Sequence, residues 1–220
     1  MIESRFSPMV DESVWRRFAD YRALSITVTG FHPEAPIAAY PIRPAAWADA
    51  HIAAWHQAFR DFGANPKRTP PSVDSLLRRY CKDNGLPSIH PVVDLYNAVS
   101  LTWGIPAGGE DLALYQGSPR LVLADSSEGF DTSRDGQPVV EAPEPGEVVW
   151  RDDAGVTCRR WNWRQCKRTA ITESTVDFWF VLDRLPPMEL DDLHRAGDSL
   201  TSALQAACPQ CRVETRLLTP

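Results

Sequence analysis

Gly108-Gly109-Glu110-Asp111, following Ile105-Pro106, is the segment whose residue types come nearest to a reaction centre. Paired glycines let backbone N–H groups approach a ligand closely, and such groups stabilise a developing oxyanion. The adjacent carboxylates can position water. The same residues also suit a tight turn between two elements, and residue types alone do not choose between these readings. A second candidate is Arg160-Trp-Asn-Trp-Arg164. Strand alternation puts Trp161 and Trp163 on one face and Arg160, Asn162 and Arg164 on the other. A row of Arg-Asn-Arg beside aromatics can grip a nucleotide or carboxylate, or can simply be a solvated hairpin face.

Other reactive types are less suggestive. Cys208-Pro-Gln-Cys211 has metal-like spacing, but no second CxxC or HxxxH pair completes four ligands. A redox CxxC sits at a helix N-terminus, where the dipole favours thiolate, and this one follows a predicted helix. Cys81 with His90 would make a nucleophile and base, yet nothing in the sequence supplies a third, orienting group. The five histidines are scattered. No GxSxG elbow, P-loop, GxGxxG or HExxH is present.

The elements that must position these residues are partly legible. Leu24 to Gly30 alternates and is β-branched, which predicts a strand. Trp47 to Phe62 places Trp47, Ile52, Trp55, Phe59 and Phe62 near one helical face, with Asp49, His51, Gln57, Arg60 and Asp61 elsewhere. A second helix runs from a Ser72 cap to about Asp83. Val92 to Trp103 is apolar almost all round, with Gly104 placed to stop it. Such a helix is buried, and its Asp94 and Asn97 need partners. In the second half, Arg120–Ala124 is a short strand, and 147–150 pairs with 155–161 around a turn at 151–154. Thr175 to Asp183 suits a central strand, 190–204 an amphipathic helix, and 211–218 a last strand. The stretch 125–145, rich in acid, Pro and Gly, is expected as a surface loop. Helices and strands mix without a βαβ rhythm, which predicts an α+β (irregular α/β) fold with a mixed central sheet flanked by helices, residues 1–220 forming one domain.

At 220 residues the chain can bury a real core without staples. A hydrophobic share of 43% and a charged share of 24% exclude disordered, collagen-like and disulfide-built classes. No run suits a membrane span, and Met1 to Pro8 lacks the apolar stretch of a secretory signal. Five cysteines without such a signal are expected as reduced thiols in the cytoplasm. The net charge of −6 carries no overall basic footprint for DNA, although Lys67, Arg68, Arg78, Arg79 and Lys82 crowd one segment and Arg159 to Arg168 another.

Leu86-Pro-Ser-Ile-His-Pro-Val-Val-Asp-Leu-Tyr-Asn-Ala-Val-Ser-Leu101, then Gly104-Ile-Pro106 and Asp111, resembles the B3/B4 domain of the phenylalanyl-tRNA synthetase β subunit. The later runs 155–164 and 169–175 are similar to freestanding B3/B4 proteins. The resemblance spans about 68–185, leaving flanks 1–46 and 186–220 to pack on that core. It implies an editing module that hydrolyses the ester of a wrongly attached amino acid on tRNA, here in trans, with no metal or cofactor.

On that resemblance Asn97 matches the pocket asparagine and Asp111 the closing aspartate, while Tyr96 stands where the pattern has threonine. The synthetase's pocket histidine falls on Gly108, and the glutamate that reads the tyrosine hydroxyl falls near Val181. Both departures argue against tyrosine as the substrate. The roles implied are oxyanion donation from Gly108 and Gly109 N–H, placement of water or amino acid by Asn97, and capture of the tRNA acceptor end by Arg68, Asn162 and Arg164. The expected partners are that acceptor end and its amino-acid moiety, not DNA and not a membrane. The alternatives are a non-catalytic tRNA, amino-acid or metabolite-binding module of the same fold, and a hydrolase or ligase for another amino-acid derivative.

Overall fold

Phe178 to Leu182 is buried on both faces, and the layers are arranged around it. The computed structural model describes residues 6–220; the opening residues 1–5, part of the stretch read above for a signal, lie outside the described residues. The elements are β1 (Met9–Val10), α1 (Glu12–Arg17), β2 (Arg22–Thr29), α2 (Ala48–Asp61), α3 (Ser72–Asp83), α4 (Pro91–Trp103), β3 (Ala107–Asp111), β4 (Arg120–Leu123) and β5 (Phe130–Arg134). They continue as β6 (Gln137–Glu141), β7 (Val148–Arg151), β8 (Val156–Arg159), β9 (Arg164–Gln165), β10 (Phe178–Arg184), α5 (Leu190–Ala207) and β11 (Arg212–Leu218). This is an α+β fold.

Among the described residues the strands divide between two sheets. One runs β11-β2-β10-β3, all antiparallel; the other runs β1-β4-β7-β8-β5-β6, with β9 paired to β8. Phe178, Phe180 and Leu182 of β10 face α4 and α5, which supply Leu95, Val99, Leu193 and Leu200. Trp179 and Val181 point the other way, into a core shared with α1, α2 and the larger sheet, where Trp150 lies 5.2 Å from Trp179 between ring centres. Period-two alternation along one strand therefore feeds two cores.

α4 begins with Pro91 at its first turn, and the His90 ring nitrogen accepts from the Val92 N–H at 3.2 Å. It ends at Gly104, whose φ of 60° is left-handed. A Cβ there would lie 2.5 Å from the Cβ of Ala48, so both backbone conformation and space demand glycine. Gly104→Ala is expected to lower stability by about 2–5 kcal/mol, summing the left-handed penalty and overpacking. A urea-unfolding midpoint unchanged from wild type would contradict this.

Several expectations need correction. His51, placed off the buried face, is fully buried. Its Nδ1–H donates to the Gly104 carbonyl at 2.8 Å, and its Nε2 accepts from Trp55 Nε1 and Leu185 N, both at 3.1 Å. Burial holds its pKa down to about 4, so it stays neutral and ties three segments together. Ser72 is the first residue of α3 and not its cap; Pro71 precedes it, and the Ser72 hydroxyl has no partner among the described residues.

The stretch expected as a loop contains the β5–β6 hairpin, turned by Asp135-Gly136 at φ 53° and 80°. That dipeptide is a type I′ signal that the acidic, Pro-rich surroundings obscured. Gly108 to Asp111 is not a turn but part of edge strand β3. The alternation expected across 160–164 fails because Arg160 and Trp161 both adopt positive φ, 45° and 65°, and the chain turns there.

Candidate functional site

A cavity of about 220 Å³ opens where α3 and α4 meet β3, β10 and the turn after β8. Five of the residues proposed from sequence line it: Tyr96, Asn97, Gly108, Asn162 and Arg164. Val181, where the resemblance puts the synthetase's glutamate, lies in its floor opposite Gly108. The inward-turned loop 160–163 brings Asn162 and Arg164 there. Trp161 is buried against Phe18, Tyr21, Trp55 and Phe62, and Trp163 lies under the guanidinium groups of Arg160 and Arg164.

The remaining sequence candidates lie elsewhere. Arg68 sits in a separate recess with Asn65, Glu144, Glu147 and Arg160. Asp111 is buried off the cavity. It accepts from Ala113 N at 2.9 Å and Thr175 Oγ1 at 2.7 Å, bracing the turn after β3. Gly109 does not line the cavity either: a Cβ there would press on Phe180 and Tyr96.

The two glycines also differ in where their peptide groups point. The Asp111 N–H donates to Thr169 and the Gly109 carbonyl accepts from Gln165 Nε2, so odd positions of β3 face away from β10. Peptide groups alternate along a strand, which turns the Gly108 N–H into the ladder with β10 and leaves the Gly109 N–H at the open edge. Of the two oxyanion donors proposed from sequence, only Gly109 is free of the sheet.

Two buried carboxylates in the cavity wall dominate its electrostatics. Glu110 is 2% exposed, accepting from Thr169 Oγ1 at 2.5 Å and from the Tyr115 hydroxyl. Burial pushes its pKa up to about 7 against the lowering effect of those bonds and of Arg168. Asp183 is 1% exposed, with Tyr21 donating at 2.6 Å and Asn162 Nδ2 at 3.2 Å. Burial likewise carries it to about 7. Glu110 was visible in the sequence beside Asp111; Asp183 was hidden inside an apolar strand, and only its facing neighbours mark it.

Cys158 also lines the cavity, but burial and the two carboxylates push its thiol well above the ordinary range, which removes it as a thiolate nucleophile. The Tyr96 hydroxyl and the Asn97 amide have no hydrogen-bond partner among the described residues. Arg79 and Arg164, exposed at the cavity mouth, form no ion pair among them. The cavity thus presents free cations outside, unengaged neutral polar groups between, and carboxylates within.

The other reactive candidates stand apart from the cavity. Cys81 is exposed on α3, and His90 caps α4. Cys208 and Cys211 are buried after α5, and the Cys208 sulfur accepts from His32 N at 3.3 Å. No group of three or more His, Cys, Asp or Glu among the described residues is arranged to hold a metal ion. No helix among them is long and apolar enough to cross a membrane.

Comparison with the curated proteins finds no match. Among solved structures the chain is similar to an N-terminal fragment of the phenylalanyl-tRNA synthetase β subunit from Pyrococcus horikoshii, at 12% identity with a TM-score of 0.53. The match covers 96% of this chain but 50% of that fragment, so the chain spans half its length, and the likeness is one of fold. The B3/4 domain family matches residues 54–205, a span that holds the whole cavity wall and most of the sequence; the chain belongs to the B3/4 domain family.

Proposed function

We propose that this chain hydrolyses the ester between an amino acid and the acceptor end of tRNA, acting in trans. The observation that carries the reading is the cavity's gradient, with the free cations Arg79 and Arg164 at its mouth and an amino-acid-sized chamber behind Asn97. The cations take the terminal phosphates, and Trp163, already stacked with arginine, offers a ring face to a base. The amino-acid moiety enters the chamber, leaving the ester carbonyl beside Asn97 at the threshold.

An aminoacyl ester is already activated, so the site need only place water and stabilise charge on the carbonyl oxygen. The Asn97 amide, which lines the cavity, is the donor available for that oxygen. The Tyr96 hydroxyl, free of partners, is available to hold the attacking water. Water adds to the carbonyl carbon, and the tetrahedral intermediate collapses by breaking the bond to the ribose oxygen. That oxygen leaves as the terminal hydroxyl, having regained a proton.

The test is loss of labelled amino acid from a panel of correctly and wrongly charged tRNAs. Selective multiple-turnover hydrolysis is expected, with Asn97→Ala slowing it by about a hundredfold, the usual scale for one oxyanion donor. Arg164→Ala is expected to weaken binding across all tRNAs and to reduce the salt slope by about 1. Stoichiometric tRNA binding with no ester loss across the panel would overturn hydrolysis in favour of a binding module.

A further inference from the structure

We infer that the chamber selects a dibasic amino-acid moiety, one carrying an α-ammonium and a second cationic group on its side chain, with Glu110 and Asp183 each receiving one of the two. The inference rests on the ester-hydrolysis reading only for how the amino acid is delivered.

The geometry starts from strand register. Glu110 lies opposite Trp179, and Asp183 is four residues further along the same face of β10. At about 3.3 Å per residue the two positions are offset by about 13 Å along the strand direction, on neighbouring strands. Between them run Gly108 and Val181, an apolar floor kept low by the missing side chain at 108. Trp150, Trp161 and Cys158 close the sides. The result is a trough with a carboxylate toward each end and an apolar middle. An extended dibasic amino acid has the same pattern: a cation, an aliphatic stem, a cation.

Charge points the same way. Neither carboxylate forms an ion pair among the described residues. Arg168, whose field reaches Glu110, is engaged by both oxygens of Asp152, at 2.9 and 2.8 Å. Asp183 meets only the neutral donors Tyr21 and Asn162. Burying two acids in one chamber without a countercharge is costly, and a guest with two cations relieves both. A guest such as tyrosine would neutralise one acid with its α-ammonium and offer the other only a hydroxyl.

An independent observation comes from Asn162, which is 9% exposed and lines the chamber. Its amide nitrogen is committed to Asp183, and its Oδ1 has no hydrogen-bond partner among the described residues. That end therefore offers an ammonium group two acceptors, the carboxylate and an unengaged amide oxygen. Burial pushes both carboxylates up to about 7, for Glu110 even against the field of Arg168, as expected of acids without an ion-pair partner.

The experiment measures binding of free amino-acid amides to the full chain by calorimetry, alongside the tRNA panel. Lysinamide, ornithinamide or argininamide is expected to bind at least tenfold tighter, by about one decade or more, than norleucinamide, which lacks the second cation. N-acetyl-lysinamide, which lacks the first, is expected to lose as much. Glu110→Gln and Asp183→Asn should each abolish one of these two preferences, with circular dichroism confirming that the variants are folded.

If norleucinamide or tyrosinamide binds as tightly as every dibasic amide, or if no dibasic amide binds at millimolar concentration, the inference is wrong, whatever the variants do. A dibasic preference with no tRNA hydrolysed would uphold it and sink the ester reading. Hydrolysis confined to tRNAs carrying neutral amino acids, with no dibasic preference, would do the reverse.

Discussion

Glu110→Gln and Asp183→Asn are each expected to gain stability relative to wild type as the pH rises from about 5 to about 8, by a change on the order of 3 kcal/mol per site. Burial raises Glu110 from 4.5, and Asp183 from 3.8, to about 7. Between their unfolded and folded pKa values the native state holds protons that the unfolded state has released. Stability from each group is therefore full below the unfolded value and is lost as the pH climbs through about 7. The neutral isosteres do not titrate, so the difference between variant and wild type isolates this slope.

The comparison must be made as a difference because His51 contributes with opposite sign. Its folded pKa, held down to about 4, makes the unfolded state the greater proton binder between there and 6.5, so its contribution rises over that window. Urea-unfolding midpoints across the pH range provide the measurement. A variant profile parallel to wild type would mean that the carboxylate in question is already countered in the folded chain, and the electrostatic account of the chamber would fail with it.

Trp161→Ala should cost about 3–5 kcal/mol and disorder one wall of the site. The indole is fully buried, with ring centres of Phe18, Tyr21 and Trp55 at 4.7, 4.8 and 5.1 Å. Its backbone and that of Arg160 sit at positive φ, which disfavours bulky side chains and persists only where surrounding contacts over-determine it. The indole is the main apolar anchor of that turn. From the other side Glu147 accepts the Arg160 N–H at 3.0 Å and pairs with buried Arg159 at 2.7 Å, fixing the turn's start.

Losing the indole should therefore free Asn162 and Arg164 from their places at the cavity. The measurements are denaturant unfolding and amide exchange over 160–165. Faster exchange there with a loss of several kcal/mol is the expected result. A loss below about 1 kcal/mol with unchanged exchange would show that the backbone bonds and the Arg159–Glu147 pair suffice alone.

Much of the chain's local structure was determined by its sequence. Apolar periodicity placed α2, α4 and α5, and the β-branched or apolar runs gave β2 and β10, because burial of one face is a local pattern that survives in any compact fold. The Asn97 motif with Gly104 and Asp111 pointed to the B3/4 family, and Asn97, Gly108, Asn162 and Arg164 do share one cavity.

The tertiary structure decided which groups carry the site's electrostatics. Asp183 sits in an apolar strand and reads as a strand end until Tyr21, Asn162 and the chamber face it. Arg68 and Asp111 belong to the right segments but meet other partners. The 160–163 turn defeated alternation because contacts with α2 and the 18–21 segment hold Trp161 in a conformation that local propensity disfavours. Periodicity records which side of an element is buried; the charge state of a carboxylate depends on what long-range packing brings against it, and that information is nowhere local in the chain.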